Sequence, residues 1–375
     1  MPVVNRVLIV GGGIAGMSLA IGLQRVGIVA EIVEIDPHWR VYGAGITITG
    51  PSLRAFERLG VLGRIEELGF CYDATSICDA GGNVIVASRV AGRPLGPTVP
   101  NGCGILRPVL HRILSEAVRT SGAAVRLGVG VAAVEERDGQ AEIAFTDGSA
   151  GRYDLVVGAD GIHSRLRELV FPGAPPPRFT GQGCWRAVAP RPSMVDGGRV
   201  YVGGPVKAGV TPVSREEMYL FLLQHVPDNP RMPKERWPEL LSAQLQGFKG
   251  PLGAVRDSLG SASNVNYRPL EWLLLSPPWH RGRVLLIGDA AHATTPHLAS
   301  GAGLAVEDAL VLVELLCSDC THAEALDGFT RRRFERCRMV VENSVRLGEL
   351  EMSHAPAVEH AELQRTSMRA LNAPI

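Results

Sequence analysis

The sequence predicts an α/β fold with α+β insertions. A parallel sheet flanked by helices is interrupted by antiparallel sheet and followed by C-terminal helices. Three observations predict it. Short apolar runs end near residues 11, 160 and 289 on a glycine or an aspartate, and a helical pattern follows each. Residues 71–105 and 171–280 lose that rhythm and read as short strands joined by turns. The chain has 375 residues, 46% of them hydrophobic, enough for one large domain or two intimately joined ones.

The elements follow in order. Val7-Leu-Ile-Val10 is a buried strand, and Gly11-Gly-Gly-Ile-Ala-Gly16 matches G-x-G-x-x-G. Met17 to Val26 is an apolar helix that Gly27 can close, and Ile28 to Ile35 is a second strand. Glu34 falls 18 residues after Gly16. In such a Rossmann-like unit the glycines let backbone approach a pyrophosphate. The acid accepts hydrogen bonds from ribose hydroxyls and argues against a 2′-phosphate. Tyr42 to Gly50 is a second glycine-rich segment, followed by a helix from Pro51 to Leu59. Ser76–Asp79 and Val84–Ala87 flank Gly81-Gly82 as a hairpin of another layer. Pro108 suits the first turn of a helix, and Arg107 just before it can reach a phosphate or ribityl oxygen. Val125–Val134 and Ala141–Phe145 read as strands, and Tyr153 to Asp160 with Gly161 repeats the strand, Asp-Gly, helix order.

Beyond a proline-rich crossover at 171–177, strands are expected at Cys184–Ala189, Arg199–Val202, Val210–Val213, Met218–Gln224 and Glu271–Leu275, with a helix over Trp237–Phe248. Val284–Ile287 is the third buried strand. Gly288-Asp289, a small-residue loop around Pro296, and a helix from Gly301 to about Cys317 follow it. Residues 301–349 read as helical, with Arg331-Arg-Arg-Phe-Glu-Arg as a solvated face; the tail from Ser353 packs on the body or on a partner. The resulting division is 1–70, 106–170 and 281–320 for the parallel-sheet domain, 71–105 and 171–280 for the antiparallel-sheet subdomain, and 321–375 for a C-terminal helical segment. In an open parallel sheet the carboxyl ends of the strands share the edge where ligands bind.

Composition narrows the partners. Lys+Arg and Asp+Glu are each 38, so there is no electrostatic case for nucleic acid or an anionic membrane. No run of 18 apolar residues predicts a membrane span. Seven scattered cysteines argue against a disulfide framework and for a reducing cytoplasm. Cys317-Ser-Asp-Cys320 has zinc-like spacing but no second ligand pair, so no metal site is expected.

Taken together, Gly11–Gly16 with Glu34, Gly158-Ala-Asp-Gly-Ile-His-Ser-Arg-Leu-Arg167, and Gly288-Asp-Ala-Ala-His-Ala-Thr-Thr-Pro296 through Glu307-Asp-Ala309 resemble the three motifs of the group A FAD-dependent monooxygenases, the flavoprotein aromatic hydroxylases. The resemblance covers essentially the whole chain. It implies that Gly11, Gly13, Ala15 and Gly16 meet the FAD pyrophosphate, with Glu34 and Ile35 at the adenosine ribose and Val131 at the adenine. It implies Thr47 and Arg107 along the ribityl–phosphate stretch, Asp160 near FAD and the nicotinamide, Asp289 on a ribityl hydroxyl, and Ser300, Gly301 and Ala302 at the flavin pyrimidine edge. The implied chemistry is reduction of FAD by NADH or NADPH, addition of O2 at C4a, and hydroxylation of a small aromatic or heteroaromatic substrate by the C4a-hydroperoxide. A dehydrogenase, reductase or epoxidase of the same superfamily is the alternative. Substrate should lie between the flavin and the inserted sheet, with Arg186, Tyr219, His225, Pro296 and His297 as candidates. His292 reads as a packing residue, and a monomer or homodimer is expected. Family members often carry Gly-Gln-Gly followed by Asn in the last motif, where this chain has Ala299-Ser-Gly-Ala-Gly303.

Overall fold

The structure is a computed structural model that describes residues 2–41, 43–89, 92–204 and 206–375, with Arg89 described in its backbone alone. Tyr42, at the head of the second glycine-rich segment, lies outside the described residues.

A six-stranded sheet runs in the order His280–Arg281, Val284–Leu286, Leu155–Gly158, Arg6–Val10, Val29–Glu34, Ala124–Leu127. All neighbouring pairs are parallel except the first. Strands buried on both faces need continuous apolar sequence, and Val7, Leu8 and Ile9 are fully buried. Helix Ile14–Arg25 covers the sheet, and helix Gly301–Leu316 packs on that helix; a Cβ on Gly22 would meet Val313 Cγ2 at 2.9 Å.

A seven-stranded sheet forms the second layer: Val265–Trp272, Arg178–Pro190, Glu217–His225, Lys207–Pro212, Gly198–Tyr201, Ala74–Cys78, Val84–Arg89. It is antiparallel apart from the pair Gly198–Tyr201 with Ala74–Cys78. The 76–87 hairpin thus joins strands more than a hundred residues downstream. One face carries Trp185, Ala187, Leu220 and Leu222, in one apolar cluster with Leu241, Leu245 and Leu252 of the 234–258 region. The opposite face looks toward the parallel-sheet layer. A small sheet, Gly45–Thr49, Gly102–Leu106 and Phe70–Tyr72, stands between the layers.

Four sequence expectations are corrected. The strand expected over 125–134 is two, Ala124–Leu127 and Val131–Arg137, because Gly128 turns the chain at φ +73 and sends the second piece into a separate three-stranded sheet. The helix expected over 237–248 ends at Gln244, and a second one spans Gly250–Ser258, with Gly247 at φ +87 between them. The strand expected at 271–275 is Val265–Trp272; the Leu273 and Leu275 N–H groups instead donate to the Ala293 and Ala291 carbonyls, just after and within the helical turn Asp289–His292. The arginine run on helix His322–Met352 is not a fully solvated face. Arg331 and Arg332 are exposed, but Arg333 is 1% exposed and ion-paired. The tail forms a last helix, Ala357–Leu371, packed on the long one.

Candidate active site at the carboxyl edge of the parallel sheet

Four adjacent parallel strands end near Gly11, Glu34, Asp160 and Asp289, so the three motifs meet on one sheet edge. Gly11 holds φ +109, and a Cβ there would lie 2.4 Å from the Ala159 carbonyl oxygen. Only glycine lets the first motif touch the second so closely. Gly13 is the opposite case. It is exposed, with nothing within 4 Å of a Cβ position. It caps helix Ile14–Arg25, which has no side-chain cap and no acid in its first turn. Uncapped N–H groups and the helix dipole beside open space can receive a pyrophosphate.

The glycine loop is held from both sides of one residue. The Gly12 N–H donates to Glu34 Oε2 at 2.8 Å, and the Trp39 Nε1–H donates to the Gly12 carbonyl at 2.9 Å. The Asp36 N–H occupies Glu34 Oε1 at 2.8 Å. A carboxylate has about four acceptor sites, so Glu34 retains capacity for ribose hydroxyls. Ile35 beside it is 66% exposed, whereas Val131 is buried at the start of its strand.

Asp160 turns both oxygens to its own loop, accepting from the Ser164 hydroxyl and from the Leu166 N–H at 3.0 Å. Burial pushes its carboxyl pKa up against those bonds. Ser164 in turn accepts from the Arg167 N–H at 2.9 Å and caps helix Arg165–Val170. Arg167, 4% exposed, donates to the carbonyls of Ile162 at 2.7 Å and Ala290 at 2.9 Å. One guanidinium therefore staples the second motif to the third, which its position in the sequence does not reveal.

Asp289 is exposed, yet burial pushes its carboxyl up, partly offset by the charges of His292 and Arg107. A carboxylate that is accessible while surrounded by protein lines a deep cleft. Arg107 opens helix Arg107–Ser121 beside the same cleft; burial, then the Arg186 charge, pushes its pKa down. Neither Arg107 nor Arg186 forms a salt bridge with any described residue. Two neighbouring cations, with Asp289 close to Arg107 but not ion-paired to it, favour an anionic occupant.

Behind Asp289 a buried ionic group fixes the turn. Asp308 Oδ2 accepts from the Gly288 N–H at 2.9 Å and pairs with His292 Nε2 at 2.6 Å, while Arg333 Nε donates to Oδ1 at 2.7 Å. Arg333 and Arg336 also pair with Glu307. Burial opposes ionisation of Asp308, but His292 and Arg333 outweigh it and hold its pKa at about 2. His292 is raised well above its ordinary value despite burial. It is thus a charged structural partner as well as a packing residue. At the start of helix Gly301–Leu316 the Ser300 hydroxyl donates to the Leu298 carbonyl at 2.7 Å and caps nothing, so the helix N–H groups stay open. Ala299 before it sits at φ +48. Gly303, where the resemblance leads one to expect a larger residue, leaves room for Ser52, whose Oγ would lie 2.1 Å from a Cβ there.

On the inserted sheet, register decides which side chains face the cleft. Arg186 lies opposite Phe221 and Val188 opposite Tyr219, which puts Arg186 and Tyr219 on one face. Arg186 Nε donates to the Tyr219 hydroxyl at 3.1 Å. Thr211, opposite Tyr219, shares a hydrogen bond of 3.0 Å with Thr47 and ties the sheets together. Pro296 is exposed. His225 and His297 stand apart from the Arg186–Tyr219 pair. His225 is exposed at the strand end, about 20 Å along the chain from Tyr219. The His297 ring is sealed behind the Pro296 loop, hydrogen-bonded to Thr295 and 3.3 Å from Glu351 Oε2.

An elongated anionic ligand with a ring at one end and a ribose at the other fits these residues. Known proteins agree. A family model described as FAD binding domain matches residues 5–344. The 2-heptyl-3-hydroxy-4(1H)-quinolone synthase of Pseudomonas aeruginosa is 33% identical over 357 residues, covering 93% of this chain and 90% of its own. The 3-amino-4-hydroxybenzoate 2-monooxygenase PtmB3 of Streptomyces platensis is 31% identical over 346 residues, covering 89% and 85%. The crystal structure of Klebsiella pneumoniae HpxO complexed with FAD and uric acid superposes with a TM-score of 0.84 at 26% identity, over 98% of this chain and 95% of that one. Among the described residues no helix is long and apolar enough to cross a membrane. The chain belongs to the FAD-dependent monooxygenases of the flavoprotein aromatic hydroxylase family.

Proposed function

We propose that this enzyme takes electrons from NADH or NADPH and hydroxylates a small aromatic or heteroaromatic substrate whose polar edge faces Arg186 and Tyr219. The observation that carries this reading is the Arg186–Tyr219 hydrogen bond on the cleft face of the inserted sheet, beside Arg107 and Asp289. In the same reading residues 1–70, 106–170 and 281–320 serve the cofactor, and 71–105 and 171–280 the substrate.

FAD would be held by the 11–16 loop at its pyrophosphate and by Glu34 at its ribose. Val131 would serve the adenine, Thr47, Arg107 and Asp289 the ribityl side, and Ser300 to Ala302 the ring edge. When bound, it supplies hydride acceptance from NAD(P)H and activation of O2 at C4a. The chain's own residues bind, orient and exclude water. The open N-terminus of helix Gly301–Leu316 stabilises negative charge at the ring edge by about 1 kcal/mol. Arg186 Nε occupies a lone pair of the Tyr219 oxygen, so the phenolic proton points away toward substrate. Burial raises the Tyr219 pKa, which keeps it a neutral donor. The free Nη groups of Arg186 suit a carboxylate or phenolate. The relatives named for an aminohydroxybenzoate and a hydroxyquinolone, and the uric acid complex, involve flat rings with polar edges, which supports this class.

The test is a screen of aromatic acids, phenols and heteroaromatics with FAD-loaded protein, following NADH and NADPH oxidation, O2 uptake and product mass. A product heavier by one oxygen atom, formed with O2 uptake, is expected. Substrate-dependent NAD(P)H oxidation without O2 consumption would make the enzyme a dehydrogenase or reductase instead. With a substrate in hand, Tyr219→Phe and Arg186→Ala should each lower kcat/KM about 10- to 100-fold while FAD stays bound, the scale of one hydrogen bond to a charged group. Unchanged kinetics in both variants would remove these residues from the substrate site.

A further inference from the structure

A second group of buried polar side chains lies behind the Pro296 loop and takes no part in the site above. The His297 side chain is 0% exposed. Its Nδ1 is 2.8 Å from Thr295 Oγ1, and its Nε2 is 3.3 Å from Glu351 Oε2 on helix His322–Met352. The other Glu351 oxygen, Oε1, accepts from Lys207 Nζ and is 2.9 Å from His360 Nε2. His360, on the last helix, keeps 23% of its side chain exposed and reaches solvent. Gln182 Oε1 points to the same spot: a Cβ on Gly348 would lie 2.6 Å from it and 3.2 Å from His297 Nε2. Gln182 Oε1, His297 Nε2 and Glu351 Oε2 are all buried without a hydrogen bond of good geometry. Packed apolar residues would hold these elements together at lower desolvation cost.

The group adjoins the Pro296 loop at the edge of the site. Thr295 stands between exposed Pro296 and Thr294, whose Cγ2 would lie 3.2 Å from a Cβ on Gly301 at the open helix start. Gln182 shares the strand and the face of Arg186, about 13 Å along it. Close polar approaches therefore run from Thr295, 2% exposed at the loop, to His297, across 3.3 Å without an aligned hydrogen bond to Glu351, and on to His360 at the surface.

We propose that Thr295, His297, Glu351 and His360 form a proton conduit between the reaction site and solvent; this rests on the monooxygenase reading given above. That reaction balances as NAD(P)H + H⁺ + O2 + R–H → NAD(P)⁺ + R–OH + H2O, so each turnover draws one proton from solvent. A phenolic substrate that ionises on binding sends another the opposite way. A site that excludes water needs fixed groups to carry both. The imidazole of His297 can accept at one ring nitrogen and release at the other. Glu351 touches one histidine with each oxygen and links them. The charged and titratable groups facing His297 are Glu351 from the long helix, Lys207 from the inserted sheet and His360 from the last helix. Burial, then the charges of Lys207 and His360, outweighs Glu351 and pushes the His297 pKa down, which favours the neutral ring that a relay uses. Burial of Glu351 is outweighed by Lys207 and the two histidines, which hold its carboxyl well below the usual range.

The test uses FAD-loaded wild-type protein and the variants His297→Gln, Glu351→Gln and His360→Gln, with 4-nitrophenol as the probe. Stopped-flow absorbance reads the ionisation of bound nitrophenol, and a pH-indicator dye reads the proton appearing in bulk solvent. Nitrophenol should perturb the flavin spectrum with similar affinity in all four proteins. Proton release should slow at least about tenfold in His297→Gln and Glu351→Gln. It should slow less in His360→Gln, where added imidazole restores the rate. If loss of the Glu351 charge prevents folding, His297→Gln decides, because it leaves the Lys207–Glu351 pair in place. Normal binding with release rates within about twofold of wild type overturns the conduit and leaves the monooxygenase reading standing. If nitrophenol leaves the wild-type flavin spectrum unchanged, the ionisable substrate found in the screen above takes its place, and release rates within about twofold of wild type again overturn the conduit alone.

Discussion

Ala299 holds φ +48, ψ +34, directly before the helix start proposed to face the flavin edge. The left-handed conformation costs an L-residue about 1–2 kcal/mol, and glycine avoids that cost. Glycine also loosens the unfolded chain, which returns about 0.4–1 kcal/mol. Ala299→Gly should therefore stabilise the protein by about 0.5–1 kcal/mol, read as a higher denaturation midpoint; a lower midpoint would mean the strain is relieved elsewhere. Arg333 carries a larger stake. Its sequence context, three consecutive arginines, suggested a solvated face, but only two of the three point outward. The third neutralises Asp308 and Glu307 inside the protein. Arg333→Met should cost about 3–5 kcal/mol, because it leaves buried carboxylates uncompensated. The same cluster sets an acid limit. The folded pKa of Asp308, about 2, lies below its ordinary 3.8. Its contribution, roughly 2 kcal/mol, is complete above about pH 4 and fades as pH falls through 2. Urea midpoints measured from pH 6 down to pH 2 should fall in that window, and the Asp308 share of the fall should vanish in Asp308→Asn.

At the scale of elements, strand–turn–helix units are written locally. Val7 to Glu34 announces its strand, glycine loop, helix and acid because each depends on neighbours within a few residues. What the loop rests on is not local. Gly11 is pressed against Ala159, and the Gly12 carbonyl is held by Trp39. A methyl group on Gly11 would meet that carbonyl at 2.4 Å in a backbone conformation that disfavours alanine. Gly11→Ala should yield protein that purifies largely without flavin, measured by its absorbance ratio at 450 and 280 nm (the flavin and protein bands); full flavin content would refute the close contact. The inserted sheet shows the same limit. Its strands were visible as apolar runs, yet their partners and register follow from the layer they cover. Gly128 and Gly247 read as ordinary glycines until the turns they make are seen.

At the scale of the whole molecule, three motifs spread from residue 11 to residue 309 converge because four parallel strands lie side by side. The cofactor cleft is framed by both layers and stapled by Arg167 and by the Thr47–Thr211 bond. A ligand that binds across such a cleft stabilises only the folded state. Adding FAD to flavin-stripped protein should raise Tm with concentration, by the equivalent of about 2.7 kcal/mol at a hundred times Kd. A Tm independent of FAD would exclude binding to the native cleft. By itself, the sequence determined the α/β class, the three motif turns and the acids and glycines in them. These rest on periodicity, backbone freedom and short spacing. Only the tertiary structure decided that Arg333 is a core ion, that Trp39 and Arg167 brace the motifs, that Arg186 bonds Tyr219, and that His297 turns toward Glu351. Those pairings join residues far apart in the chain. Their energies depend on burial and distance, which no local pattern of residues encodes.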